Sequence, residues 1–268
     1  MLLIHGSIED SRIFHSKSGK GFGPFLAEAG YDVFAPDLAG KGGSRPKIKR
    51  GFAHSQADFL ERDMNIYADA IAKLHPGKAL RLGAHSWGGV LLLAWMARYA
   101  GGRALGPGVF FASKRRIGVM SLRRLFMVDV VWTLGGLGAT ALKGYLPAKK
   151  MGMGSENEPA DFYKEVNRWV YSPQWKDPVD GFDYAAALRK MELPPLLFFA
   201  GKADKVLGHP KDVKRLMKES GSNKASYVLL SKENGFQRDY GHIDLLTAPQ
   251  CREDHFGTAL KFLKEGAI

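Results

Sequence analysis

Cysteine occurs once, at Cys251, so no internal disulfide can form and no paired-cysteine zinc or redox motif is possible. A chain without disulfides is expected in a reducing, cytoplasmic compartment. The eight histidines never pair at metal-ligand spacing along a helical pattern, so no metal site is expected. The opening MLLIHGS has no basic leader, long apolar core or small-residue cleavage site, and no secretory signal is expected from it. Instead residues 2–5 read as a buried strand that starts at once, with the expectation that upstream strands are missing. No internal repeat or low-complexity linker divides the chain. Acidic residues are in deficit: 27 Asp and Glu against 39 Lys and Arg give a net charge of +12. That excess favours anionic surroundings, including lipid head groups, without naming a fold or a reaction.

What is present is an ordinary globular composition, 45% hydrophobic and 25% charged over 268 residues, which excludes disorder, collagen and coiled coil. Short apolar runs at 2–5, 31–35, 79–84, 108–112, 195–200 and 225–230 show little polar alternation, as expected for strands covered on both faces. Helical patterns lie between them at about 20–29, 56–74, 88–100, 210–219 and 251–264. Ser55 and Asp58 have the spacing of a capping box, and His75-Pro76-Gly77 ends that helix. Strand and helix in alternation predict an α/β protein with a mainly parallel sheet and helices on both faces.

Residues 113–190 break this rhythm with a basic cluster (Lys114, Arg115, Arg116, Arg123, Arg124) and the apolar piece LFMVDVVWTLGGLGATAL at 125–142. The piece approaches membrane-spanning length. Asp129 in its interior, and Gly135, Gly136 and Gly138, argue instead for an insertion packed over the sheet as a cap. A helix seated on an anionic membrane surface is the alternative, since basic flanks beside an apolar face suit it.

The strongest chemical signal is Ala84-His85-Ser86-Trp87-Gly88, where a strand runs into a serine between small residues and then into a helix. A nucleophile elbow needs this pattern, because the serine sits in a sharp turn where larger flanking side chains would collide with neighbours. A serine hydroxyl requires a base, and the base an orienting acid. Asp204 follows the strand at 195–200, and His242 follows the strand at 225–230, so both fall on the rim where Ser86 emerges. Backbone N–H groups of Ser7 and Trp87 are the candidates for an oxyanion hole. Asp177, Asp180 and Asp183 compete less well for the acid because they precede the last strands. His255 competes less well for the base because it reads as exposed. His85 reads as packing or rim, His5 as a loop brace and Asp37 as part of a glycine-rich turn. Ser18-Gly19-Lys20-Gly21 fails as a phosphate loop, and the short basic runs read as solvated faces, so no nucleic acid is expected.

Taken together, His5-Gly6, the turn from Asp37 to Ser44, the Ser86 elbow, Asp204 and Gly241-His242 resemble the α/β-hydrolase superfamily, in particular its lipase- and esterase-like serine hydrolases. The resemblance spans nearly the whole chain. It implies a core of residues 1–112 and 191–268, a cap or lid insertion at 113–190, and two opening strands that are absent. It further implies a Ser-His-Asp hydrolase with no metal and no organic cofactor, acting on a small-molecule ester. The Leu, Met, Phe and Trp content of 119–145 and 162–175 points to a lipophilic acyl group. An amide or thioester hydrolase, or a non-catalytic membrane-associated module, would fit the same fold.

Overall fold

Seven strands occur in chain order: β1 (Leu2–Ile4), β2 (Leu80–His85), β3 (Leu105–Phe111), β4 (Tyr145–Leu146), β5 (Glu158–Pro159), β6 (Leu196–Gly201) and β7 (Ala225–Leu230). The computed structural model describes all 268 residues. β1, β2, β3, β6 and β7 lie side by side in that order and all run parallel, while β4 and β5 form a separate antiparallel pair. The sheet buries both faces, and the side-chain alternation of a strand divides its core in two. Phe110 stacks on Phe198 at 4.8 Å in one half, and Phe111 on Phe199 at 5.1 Å in the other. The register that pairs β3 with β6 sets both contacts.

The helix Trp87–Arg98 fills the first half and is buried along nearly all its length. It has no polar face because the sheet lies on one side and other helices cover the rest. Phe22–Glu28 and Phe256–Glu265 cover the second half. Residues 56–74 begin with the Ser55–Asp58 capping box, in which Ser55 Oγ accepts from the Asp58 amide and the Asp58 carboxylate accepts from the Ser55 amide.

Three expectations change. Residues 31–35 make one isolated bridge, Leu2 with Phe34, and not a strand. Their only neighbour is the three-residue β1, and Pro36 has no N–H to extend the ladder. His255 is buried, not exposed, and donates from Nε2 to the Leu245 carbonyl at 2.8 Å. The polar residues before it are turned away in the 3-10 turn Pro249–Glu253, so the imidazole is left among Phe111, Phe199 and Tyr240.

The apolar piece is the third case. It lies within one continuous helix, Leu122–Lys143, that runs through all three glycines and is largely exposed. Its central part, Leu125–Gly135, is π-helical. Tyr163 of the helix Ala160–Tyr171 donates to the Trp132 carbonyl, and a Cβ on Gly136 would collide with that hydroxyl. Glycine therefore permits the close approach that fastens this helix to its neighbour.

Candidate active site

Ser86 stands at the carboxyl end of β2, with φ +52° and ψ −120°. A β-carbon is strained at positive φ, and the strain is held by packing on both sides. A Cβ on Gly88 would lie 2.2 Å from the Ile4 carbonyl oxygen, and one on Gly6 would lie 3.0 Å from Ser86 Cβ. The turn thus exists only with glycine at 88. Gly88→Ala is expected to destabilise the fold by about 2–3 kcal/mol through overpacking against backbone, seen as a lower urea midpoint at unchanged slope.

Around Ser86 the carboxyl ends of four adjacent strands deliver side chains to one place. His242, after β7, has Nε2 3.0 Å from Ser86 Oγ and Nδ1 2.6 Å from Asp204 Oδ2, after β6. With Nδ1–H donating to the carboxylate, Nε2 is left as the acceptor for the serine hydroxyl. Burial alone would raise Asp204, but the charge and hydrogen bond of His242, the Gly208 amide and Lys114 hold it down at about 2. Burial pushes His242 below the ordinary histidine range, with Lys114 and His85 acting in the same direction and Asp204 opposing them. The imidazole is therefore neutral at pH 7, the state a base requires.

Lys114 completes the group. It follows β3 through Ala112, itself at positive φ, and its Nζ lies 2.9 Å from Ser86 Oγ. The side chain is buried and has no carboxylate within ion-pair distance. Burial brings it down to about 8, against the more distant pull of Asp204, Glu9 and Asp212. Sequence reading placed Lys114 in a solvated basic run. The signal that could have found it is its position just beyond a buried strand, the same position that singled out Ser86 and Asp204.

The His5-Gly6-Ser7 loop passes against the Trp87 amide, since a Cβ on Gly6 would lie 3.2 Å from that nitrogen. Neither the Ser7 nor the Trp87 amide donates a hydrogen bond within the chain. The loop is fixed from the cap side by Glu158, which accepts from Ser7 Oγ at 2.6 Å and from the Ile8 amide at 2.7 Å and pairs with buried Lys41 at 2.8 Å. From below it is fixed by Glu9, which accepts from the Gly6 amide and from His85 Nδ1 at 2.7 Å. Burial would raise Glu9, yet His85 and the Gly6 amide hold it at about 2. His85 Nε2 meets the His242 carbonyl at 2.9 Å, so both ring nitrogens face acceptors and the ring braces the His242 backbone.

The other candidates are elsewhere. His5 accepts from the Leu38 amide and lies against the Gly6 carbonyl, bracing the loop. Asp37 accepts from the Ser11 and Gly43 amides in its turn. Asp177 and Asp180 pair with Arg98, and Asp183 caps the helix Tyr184–Arg189. A polar recess of about 540 Å³, lined by Ser11, Arg12, Asp37, Lys47 and Glu156 among others, does not include Ser86. No group of three or more His, Cys, Asp or Glu side chains is arranged to hold a metal ion.

No curated protein is significantly similar to the chain in sequence. Solved structures share its fold. An esterase from Thermogutta terrifontis, solved with malate bound, is 15% identical with a TM-score of 0.60, covering 100% of this chain and 90% of its own. A structure from work on LipS and LipT, two metagenome-derived lipolytic enzymes, is 17% identical with a TM-score of 0.63, covering 98% and 92%. A meta-cleavage product hydrolase from Pseudomonas fluorescens is 16% identical with a TM-score of 0.59, covering 98% and 90%. Residues 1–160, more than half of the chain, match the model of the Hydrolase_4 family, described as serine aminopeptidase S33, so the chain belongs to that family and is a hydrolase with the α/β-hydrolase fold.

Proposed function

We propose that this hydrolase cleaves carboxylic esters with an apolar acyl group, using Ser86 as nucleophile, His242 as base and Asp204 as the orienting acid. The observation that carries the reading is the single donor sequence Lys114 to Ser86, Ser86 to His242, His242 to Asp204. Ser86 Oγ bonds to the ester carbonyl carbon while its proton passes to His242 Nε2. The carbonyl oxygen, now an anion, takes the Ser7 and Trp87 N–H groups. Collapse breaks the bond to the alcohol, which leaves with the proton from His242. Water then attacks the acyl-serine, losing its proton to the same imidazole, and as the bond to Ser86 Oγ breaks His242 returns that proton to the serine while the acid is released. Asp204 fixes the tautomer and offsets the imidazolium charge, and Lys114 occupies one Ser86 lone pair so that the hydroxyl proton is directed at His242.

An apolar acyl group is supported by Trp87, the residue after Ser86, whose ring centroid lies 6.4 Å from that of Trp169 in a core that also holds Val166, Val170, Ile117 and Val128. A fluorophosphonate probe is expected to label the intact chain and not Ser86→Ala. Across p-nitrophenyl esters, kcat/KM is expected to rise from acetate to longer acyl chains; a preference for acetate or for charged acyl groups rejects the apolar acyl preference. The same steps serve an amide, which the family's description favours testing. A higher kcat/KM on an amino-acid anilide than on the ester of the same acid would exchange the ester for the amide.

A further inference from the structure

We propose that the outer face of the helix Leu122–Lys143 is a docking surface for an anionic lipid bilayer, on which the helix lies parallel to the membrane plane. Only 17% of its apolar 18-residue stretch is buried. Leu122 is 86% exposed, Phe126 63%, Leu134 68% and Leu142 75%, with Val130 and Leu137 exposed between them. Leu122, Phe126, Val130 and Leu134 are four residues apart. A π-helical turn is wider than the 3.6 residues of an α-helix, so through Leu125–Gly135 such residues stay nearly in line and form one ridge. A contiguous apolar ridge of this size on a folded surface marks an interaction site.

Charge identifies the occupant. Residues 114–150 hold eight Lys and Arg against one acid, so seven of the chain's twelve net positive charges fall in this segment. Lys114, Arg115 and Arg124 are turned inward and Arg116 is half-buried, leaving Arg123, Lys143, Lys149 and Lys150 exposed. Arg50 adds a further cation where it donates to the Leu142 carbonyl. The single acid, Asp129, is taken up by Arg124 and the Tyr171 hydroxyl. An apolar ridge with cations at its ends and no free anion complements acidic head groups over an acyl layer. A second copy of the chain would set like charges face to face. A membrane-spanning role is opposed by the inner face, where Val128 and Thr140 are buried and Trp132 accepts from Tyr163.

The test is co-sedimentation of the full chain with phosphatidylcholine vesicles, with and without phosphatidylglycerol. Binding is expected on the phosphatidylglycerol vesicles at about 0.05 M salt, to fall at least about tenfold at about 0.5 M salt, and to be weak on pure phosphatidylcholine. Phe126→Ser with Leu134→Ser, and separately Arg123→Glu with Lys143→Glu, are each expected to lower binding more than about tenfold. Both pairs leave the thermal midpoint and hydrolysis of a soluble short ester unchanged, because all four residues are exposed. Three results overturn the proposal: no binding at low salt, binding that neither pair weakens, or a dimer in sedimentation velocity that Phe126→Ser with Leu134→Ser dissolves. Binding does not depend on catalysis. A protein inert toward every ester but bound to vesicles rejects the catalytic reading alone.

Discussion

Replacing Ser86 by alanine is expected to lower kcat/KM by about 10⁴–10⁶, and His242→Ala by a similar amount. Asp204→Asn is expected to cost about 10⁴, because an amide in place of the carboxylate favours the wrong imidazole tautomer. In the proposed mechanism the three groups act as one proton path, so the double variant of Ser86 and His242 should be no slower than either single one. Additive losses would show that the two side chains work separately. Ser86→Ala also removes the one hydrogen-bond partner of Lys114, so a stability loss of about 1–3 kcal/mol accompanies it and activity must be compared on protein verified as folded.

The pH profile gives a second check on the same site. As the proposed base, His242 must be neutral to take the serine proton, and burial lowers its pKa from the ordinary histidine value of 6.5. kcat/KM is therefore expected to rise with pH through an apparent pKa under 6.5 and to be on its plateau by neutrality. An acid limb centred above that value would show that the imidazole is stabilised as a cation and is a poor base.

How much of this was legible depended on whether a signal was local. The runs that became β3 and β6 are largely or wholly buried and carry a near-continuous apolar code, while β2 is interrupted by Arg81 and buried from Leu82 onward, and the edge strand β7 is half-buried up to Leu230. Ser86 and Asp204 could be picked out because residues just past such strands share a rim, and His242 because the loop that follows β7 returns to the same rim. Tyr31 to Ala35 has the same composition, but whether it pairs depends on the length of its neighbour, which its own residues do not record. Glu158 reaches Ser7 and Ile8 from 151 and 150 positions away. Contacts of that separation are decided by packing of the whole chain and leave no periodicity behind. His255 was misjudged for a related reason: the charges that precede it describe the surface of a turn, not the side from which Phe111 and Phe199 approach.

Lys114→Met is expected to stabilise the protein while slowing it. A buried ammonium with a single neutral partner opposes folding, and an apolar side chain of similar length removes that cost. Below pH 8 both the folded and the unfolded chain hold the Lys114 proton, so the cost is complete. Between about 8 and the ordinary lysine value of 10.5 the unfolded chain still binds the proton that the folded chain has released, and stability rises with pH. The rise amounts to about 3 kcal/mol. In urea titrations across this range the native chain should therefore gain stability from this group as the medium becomes alkaline. Lys114→Met should begin more stable at pH 7 and lack that gain. Its kcat/KM should fall about tenfold or more, because Ser86 loses the donor that turns its hydroxyl proton toward His242. A variant that is less stable at neutral pH, or one as fast as the native chain, would place the ammonium outside the chemistry and make Lys114 a packing residue whose charge is satisfied some other way. The expected pairing of higher stability with lower rate is what a charge kept for function, at a cost to the fold, produces.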